Sequence, residues 1–326
     1  MKNVFFNAIS VLCALILLPL GVLSESENKI PVNSSAVSAQ KNDIEYTDTP
    51  SSDVFRILIK ETGKVENLDA DTYITGVVAA EMPALYETEA LKAQAVAAYT
   101  YACRKRSASA DKKYDLTDDP NSDQCYISTE EMQKKWGEHT QEYTKKISEA
   151  VKAVSGKYLD YKGTPAMTVY HAVSSGRTES CKDVWGSALE YLVPVDSLGD
   201  RLEENYLYTA EFTKEQISEK LKALCDIKDD GSSWFTNPET TESGRVKNIT
   251  VCGTELTGAQ IADALSLPSA NFTVSQKGEN FTVESRGRGH GVGMSQHGAD
   301  YMAKQGSDYK EILLHYYTGC TLEEKQ

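Results

Sequence analysis

The chain has no surplus of positive charge. It carries 34 lysines and arginines against 48 aspartates and glutamates in 326 residues, a formal net charge of −14. Neutralising nucleic-acid phosphates takes a Lys/Arg excess, so the sequence argues against a nucleic-acid binder. The same balance disfavours holding the folded part on an anionic lipid surface. Neutral or zwitterionic polymers such as polysaccharide stay open. Several catalytic signatures are also missing. No Gly-x-Ser-x-Gly elbow surrounds a serine, and no Gly-Lys-Ser/Thr completes a phosphate loop. The five histidines form no His-Glu-x-x-His and the cysteines no Cys-x-x-Cys, so no metal and no cofactor is expected. No fixed-period repeat is visible. With 40% apolar and 25% charged residues, the composition is that of an ordinary globular protein.

What is present begins at the N-terminus. Val4 to Leu23 is a run of 20 uncharged residues, preceded by Lys2 and followed by Glu25 and Glu27. At roughly 1.5 Å per residue it matches a hydrocarbon core of about 30 Å. Residues 1–24 therefore read as a single transmembrane anchor with its positive end in the cytoplasm. A cleaved signal peptide is the alternative, although no Ala-x-Ala precedes Ser24. Either reading puts the remainder outside the cytoplasm. Residues 25–52, rich in Ser, Asn, Thr and acidic residues, read as a flexible linker. Beyond Cys13, the six cysteines 103, 125, 181, 225, 252 and 320 allow fifteen full pairings. Spacing does not choose among them, and buried free thiols remain equally open.

Residues 53–326 read as one large ectodomain. Val54 to Ile59 is a strand. Tyr73, Ile74, Val77, Val78 and Ala80 mark a short helix stopped by Pro83. An Ala-rich helix over about 88–104 shows Leu91, Ala95, Ala98 and Ala102 on one face. A third helix opens at a Ser128/Glu131 capping box and runs to Gly156. Strands are expected over 157–161, 166–173 and 246–251. Two more, 272–275 and 281–284, flank a loop over 276–280. Thr213/Gln216 and Asp308/Glu311 open helices ending near Cys225 and Tyr317. The irregular mixture gives an α+β fold rather than a doubly wound sheet.

Three segments carry candidate chemistry. Glu81 closes the first helix among Val77, Val78, Ala80 and Met82. A helix C-terminus and apolar neighbours both favour a protonated carboxyl, the state a general acid needs. A solvated helix end before a routine proline stop is the plain alternative. Tyr170 to Glu179 holds His171, Ser174 and Ser175 just past a strand, suited to hydrogen-bonding sugar hydroxyls or to an ordinary polar turn. Gly287 to Gly298 alternates glycine with Arg288, His290 and Val292, allowing close backbone approach. A structural turn beneath the site reads equally well.

Taken in order, these segments resemble the stage II sporulation protein D family of lytic transglycosylases. The matching pieces are Gly76 to Pro83, Glu89 to Ala98, Tyr170-His171 through Gly176, and Val184-Trp185-Gly186. Gly289 to Gln296 and His315-Tyr316-Tyr317 complete the set. The resemblance implies a substrate groove and a glutamate at Glu81 that cuts the MurNAc–GlcNAc β-1,4 bond, leaving 1,6-anhydroMurNAc ends. It implies action on peptide-stripped peptidoglycan glycan strands during septal thinning and engulfment in sporulation. Stage II sporulation protein P, an amidase/endopeptidase, and the membrane protein stage II sporulation protein M are the implied partners. Tyr161, Tyr191, Tyr316 and Tyr317 sit where the family has aromatics near the glycan. Ser174, Ser175, His171, His290 and Gln296 are the implied polar contacts or supports. Tyr99 occupies the place of a substrate-touching arginine and is a candidate contact there, while Val193 replaces a common lysine. Arg104 or Arg177 offers a substitute cation. Residues 115–125 lack the two-His, two-Cys zinc set found in some members. Related amidase enhancers share much of the domain, so a non-catalytic module that stimulates a partner hydrolase is the alternative.

Overall fold

The computed structural model describes residues 53–229 and 231–325. The expected anchor and linker lie outside the described residues, and no described helix is long and apolar enough to cross a membrane.

The fold opens with an antiparallel pair, β1 (Val54–Ile59) and β2 (Lys64–Asp69). Phe55 and Ile57 alternate into the core. Asp69 then caps α1 (Ala70–Glu81) by accepting the Thr72 N–H. After the Pro83 corner comes α2 (Thr88–Ser107), followed by the short strand β3 (Leu116–Thr117), parallel to β1. The Ser128/Glu131 capping box opens α3 (Thr129–Trp136). The expected single helix over 128–156 is in fact two. Gly137, at φ 55° and ψ −119°, breaks it, one turn of 3-10 helix follows, and α4 (Thr140–Lys152) resumes.

Next come β4 (Lys157–Asp160), β5 (Tyr170–His171) and α5 (Cys181–Trp185). The strand expected over 166–173 thus shrinks to two residues. Its partner, the Gly-rich segment, turns too often to offer a longer ladder. A second unit follows: β6 (Leu207–Thr213), α6 (Lys214–Leu221), β7 (Phe235–Thr240), β8 (Val246–Val251), β9 (Thr254–Thr257), α7 (Gly258–Leu265), β10 (Phe272–Lys277) and β11 (Asn280–Arg286). The loop expected over 276–280 tightens to Gly278-Glu279, because Lys277 and Asn280 still pair. The chain closes with β12 (Met294–Ser295), α8 (Gln296–Lys304), α9 (Tyr309–Tyr316) and β13 (Thr321–Glu324). Here β12 lies parallel to β5, and β13 returns antiparallel to β4.

The apolar core falls into two clusters. The larger surrounds α2, whose alanines at 90, 93, 95, 97 and 98 are buried all round rather than along one stripe. Small side chains let α1, α4, α8 and α9 approach α2 closely from several sides. The smaller cluster, including Ile217, Trp234, Val251, Ile261 and Phe281, belongs to the unit over 207–286. The architecture is α+β, as the mixed pattern indicated.

Candidate active site

α1 presents Glu81 at its final position. Pro83 ends the helix, and Met82 takes an extended conformation, φ −118° and ψ 146°, while its N–H reaches the Val78 carbonyl at 3.0 Å. Lys135 on α3 donates to the Ala79 and Ala80 carbonyls at 2.8 and 3.2 Å, satisfying acceptors that the helix end leaves open. The Cys125 N–H donates to Glu81 Oε1 at 2.8 Å.

That last bond depends on a glycine. Residues 124–127 cross α1 at Gly76, where a Cβ would stand 2.3 Å from Tyr126 Cε2 and 2.7 Å from the Ile127 carbonyl oxygen. Without a side chain at 76, Tyr126 stacks on Tyr73 with ring centroids 5.6 Å apart, and Cys125 comes within reach of Glu81.

Glu81 keeps partial access to solvent. Burial nevertheless pushes its pKa up to about 7, against the opposing pull of the Cys125 N–H and the Lys135 ammonium. The α1 C-terminus acts in the same direction as burial. At neutral pH the carboxyl is therefore divided between its acid and base forms, which one group must visit in turn to give and take a proton. Burial, with Glu81 adding, pushes the Cys125 thiol up to about 11, so that sulfur is no nucleophile at neutral pH.

A short relay of contacts joins Glu81 to the histidine and glycine segments. Gln124, next to Cys125, donates to the Ala98 carbonyl and the Tyr73 hydroxyl at 3.2 Å each. Its Oε1 accepts the Tyr170 hydroxyl at 3.1 Å. Tyr170 and His171 form β5, against which the Gly-rich segment packs. A Cβ on Gly293, at φ 73°, would stand 2.0 Å from the Val169 carbonyl oxygen. Close backbone approach is thus what this glycine permits. His171 is buried, with Nδ1 3.1 Å from the Val292 carbonyl, and burial pushes its pKa down to about 4. Burial, aided by His171 and Arg245, takes His290 down to about 3. The two rings lie 5.7 Å apart and Trp185 stands 5.0 Å from His290. Both imidazoles are neutral near pH 7.

The other expected contacts divide into two groups. Tyr99 is buried and donates to Asp53, which Arg106 and Lys325 also hold. Tyr316 is buried with its hydroxyl 2.7 Å from Ser197 Oγ, and Tyr317 donates to the Val169 carbonyl at 2.9 Å. Buried Tyr191 accepts the Met167 N–H at 2.7 Å, and buried Gln296 donates to Gln94 at 3.3 Å. The Ser174 N–H, also buried, donates to Asp200 at 2.9 Å. These six, with His171, build the frame and turn no open face outward. Tyr161, Ser175 and His290 keep solvent access. Tyr161 packs 4.6 Å from Tyr191 and donates to Glu190, while Ser175 Oγ donates to the Ser243 carbonyl at 2.9 Å. Sequence reasoning missed Cys125, Lys135, Gln124 and the buried Glu179, since each acquires its role only through a distant neighbour. Among the described residues, no three His, Cys, Asp or Glu side chains gather to hold a metal ion, and Cys103, Cys125, Cys181, Cys225 and Cys320 are free thiols.

A family model for stage II sporulation protein matches residues 59–161, which include α1, α2 and the Cys125 segment. The chain is 38% identical over 333 residues to stage II sporulation protein D of Bacillus subtilis (strain 168), covering 98% of this chain and 96% of that one. It is 38% identical over 263 residues to stage II sporulation protein D of Bacillus amyloliquefaciens, covering 80% and 76%. An amidase enhancer of Bacillus subtilis (strain 168) is 27% identical over 307 residues, 76% of this chain and 40% of that protein. With such identity sustained across nearly the full length of two chains, the protein belongs to the stage II sporulation protein D family.

Proposed function

We propose that this protein is a peptidoglycan lytic transglycosylase acting outside the cytoplasm in sporulation, with Glu81 as its single acid/base. The observation that carries this reading is a partly accessible carboxyl whose pKa burial raises to about 7, held by the Cys125 N–H. Protonated Glu81 gives its proton to the glycosidic oxygen as the C1–O bond of MurNAc breaks. The resulting carboxylate then takes the proton of the MurNAc C6 hydroxyl as that oxygen bonds to C1. A 1,6-anhydro end forms, no water is consumed, and Glu81 finishes protonated. One carboxyl suffices for this cycle, whereas ordinary glycosidases generally need two. The reading includes a membrane tether at residues 1–24 and work beside the amidase/endopeptidase and membrane partners that the resemblance implies.

The similarity to an amidase enhancer supports a second reading, a module that stimulates a partner hydrolase. Peptide-free glycan strands separate the two. The purified protein should generate 1,6-anhydroMurNAc ends detectable by mass spectrometry, and Glu81→Gln should lose them while still binding strands. Turnover that survives the substitution removes Glu81 from the mechanism. Absence of new ends, together with a faster partner amidase, favours the enhancer.

A further inference from the structure

The last turn of α1 carries no basic residue of its own. The cation it lacks comes from α3. The Lys135 ammonium donates to the Ala79 carbonyl at 2.8 Å and the Ala80 carbonyl at 3.2 Å, on the two residues before Glu81. The Trp136 ring centroid lies 5.8 Å from the same ammonium, near enough to help hold it there. The residue as a whole is exposed, yet its charged tip turns back onto the helix end. Other groups pin the turn that follows Glu81. The Tyr86 N–H donates to the Pro83 carbonyl at 3.0 Å, and Lys146 donates to the Tyr86 carbonyl at 2.6 Å. The Glu87 N–H donates to Asp300 at 2.7 Å. That corner therefore keeps its anchors without Lys135.

What Lys135 adds is charge. The titratable groups facing Glu81 are Tyr73 on the same helix, Cys125 on the crossing segment and Lys135 on α3. Burial keeps the Tyr73 phenol and the Cys125 thiol protonated near pH 7, with Glu81, Asp118 and Glu131 adding at the thiol. Among the described residues, Lys135 is left as the cation acting on Glu81. When the carboxyl gives up its proton, it becomes charged where burial and the α1 carbonyls both oppose charge. An ammonium fixed nearby offsets both. Its placement matters as well. A lysine bonded to the carboxyl itself would occupy the oxygen that has to meet the sugar. Lys135 bonds the backbone instead. Glu81 Oε1 takes the Cys125 N–H at 2.8 Å, and Oε2 has no hydrogen bond among the described residues.

We infer that Lys135 is a positioning residue for the Glu81 chemistry: anchored on the Ala79 and Ala80 carbonyls, it stabilises the Glu81 carboxylate while leaving Oε2 open to substrate. The inference rests on the function proposed above. As the glycosidic bond breaks, the proton leaves Glu81 for the departing oxygen, and the charge left behind is the one that Lys135 offsets. The same cation makes the carboxyl a stronger acid for that step.

Carbon-13 NMR of the full-length protein, labelled at the glutamate side-chain carboxyls, tests this directly. The Glu81 signal is the one missing from Glu81→Gln. Its midpoint, about 7 in the parent, should rise in Lys135→Gln, which can still donate to a carbonyl but carries no charge. Because solvent screens part of the effect, the rise should be on the order of 0.5–1 pH unit. Lys135→Arg keeps the charge and should stay near the parent. At pH 5 Glu81 is protonated in all three proteins. There Lys135→Gln should form 1,6-anhydro ends about three- to tenfold more slowly, as a weaker acid does. Its loss of rate should then set in at correspondingly higher pH. A lysine with only a structural role would lower Tm and move neither midpoint. An unmoved Glu81 midpoint in Lys135→Gln overturns the proposal, as does an equal rise in Lys135→Arg. A second measurement needs no change at Lys135. Coupling is reciprocal, so the Lys135 ammonium in Glu81→Gln should titrate lower than in the parent, by the same amount. An unmoved lysine equally overturns the proposal. The two readings fail separately. A shifted midpoint in a protein that makes no anhydro ends sinks only the transglycosylase, and anhydro ends with an unshifted midpoint sink only the role of Lys135.

Discussion

Replacing Glu81 with glutamine should stabilise the protein at alkaline pH even as it ends cleavage. The carboxyl moves from an ordinary 4.5 to about 7 on folding, chiefly through burial. Between those values the folded protein holds a proton that the unfolded chain has released. The proton difference, unfolded minus folded, is negative there, so stability falls as pH rises. Stability is complete below about 4.5, declines up to about 7, and is level beyond. At about 1.4 kcal/mol per pH unit, allowing for partial solvent access, the loss is on the order of 2–3 kcal/mol. Glutamine does not titrate, and its carbonyl oxygen still accepts the Cys125 N–H. Glu179, pushed to a similar value by burial, titrates alike in both proteins and cancels from the comparison. Urea unfolding followed by tryptophan fluorescence at pH 4, 6 and 8 measures the effect. The gain of the variant over the parent should grow by on the order of 2–3 kcal/mol from pH 4 to pH 8. A difference that does not change with pH would refute the burial argument.

Two further substitutions test the frame around the site. Gly76→Ala forces Tyr126 and Ile127 off α1, which should cost about 1–3 kcal/mol and carry Cys125 away from Glu81. Loss of that bond raises the Glu81 pKa, so the pH–rate profile should move upward alongside a lower Tm; an unmoved profile separates Cys125 from the chemistry. Tyr99→Phe removes a buried donor to Asp53, at about 0.5–1.5 kcal/mol, and should leave KM for glycan unchanged. A raised KM would return Tyr99 to the groove.

Several local signals are legible in the sequence, and strand pairings are not. The α1 stop at Pro83, the Ser128, Thr213 and Asp308 capping boxes and the strand over 246–251 are all short-range physics, and each stands where the sequence puts it. The break at Gly137 escaped because the residues on both sides favour helix. Strands β6, β7 and β9, and helices α7 and α8, escaped for other reasons. The strands β6, β7 and β9 have weak apolar alternation and are defined mainly by their partners. Tyr316-Tyr317 shows how an aromatic pair misleads. Tyrosine suits sugar stacking and core packing alike, and only burial tells which is in force.

By itself the sequence determined which carboxyl ends the first helix, the capping boxes at Ser128, Thr213 and Asp308, and the order of segments by which the family is recognised. Only the tertiary structure decided the chemistry available to that carboxyl. Its proton affinity comes from burial and from a backbone N–H 44 residues away, brought close because Gly76 has no side chain. The structure likewise sorted the expected sugar contacts into framework and accessible surface. Desolvation and hydrogen-bond partners are properties of neighbours in space, and no local run of residues specifies them.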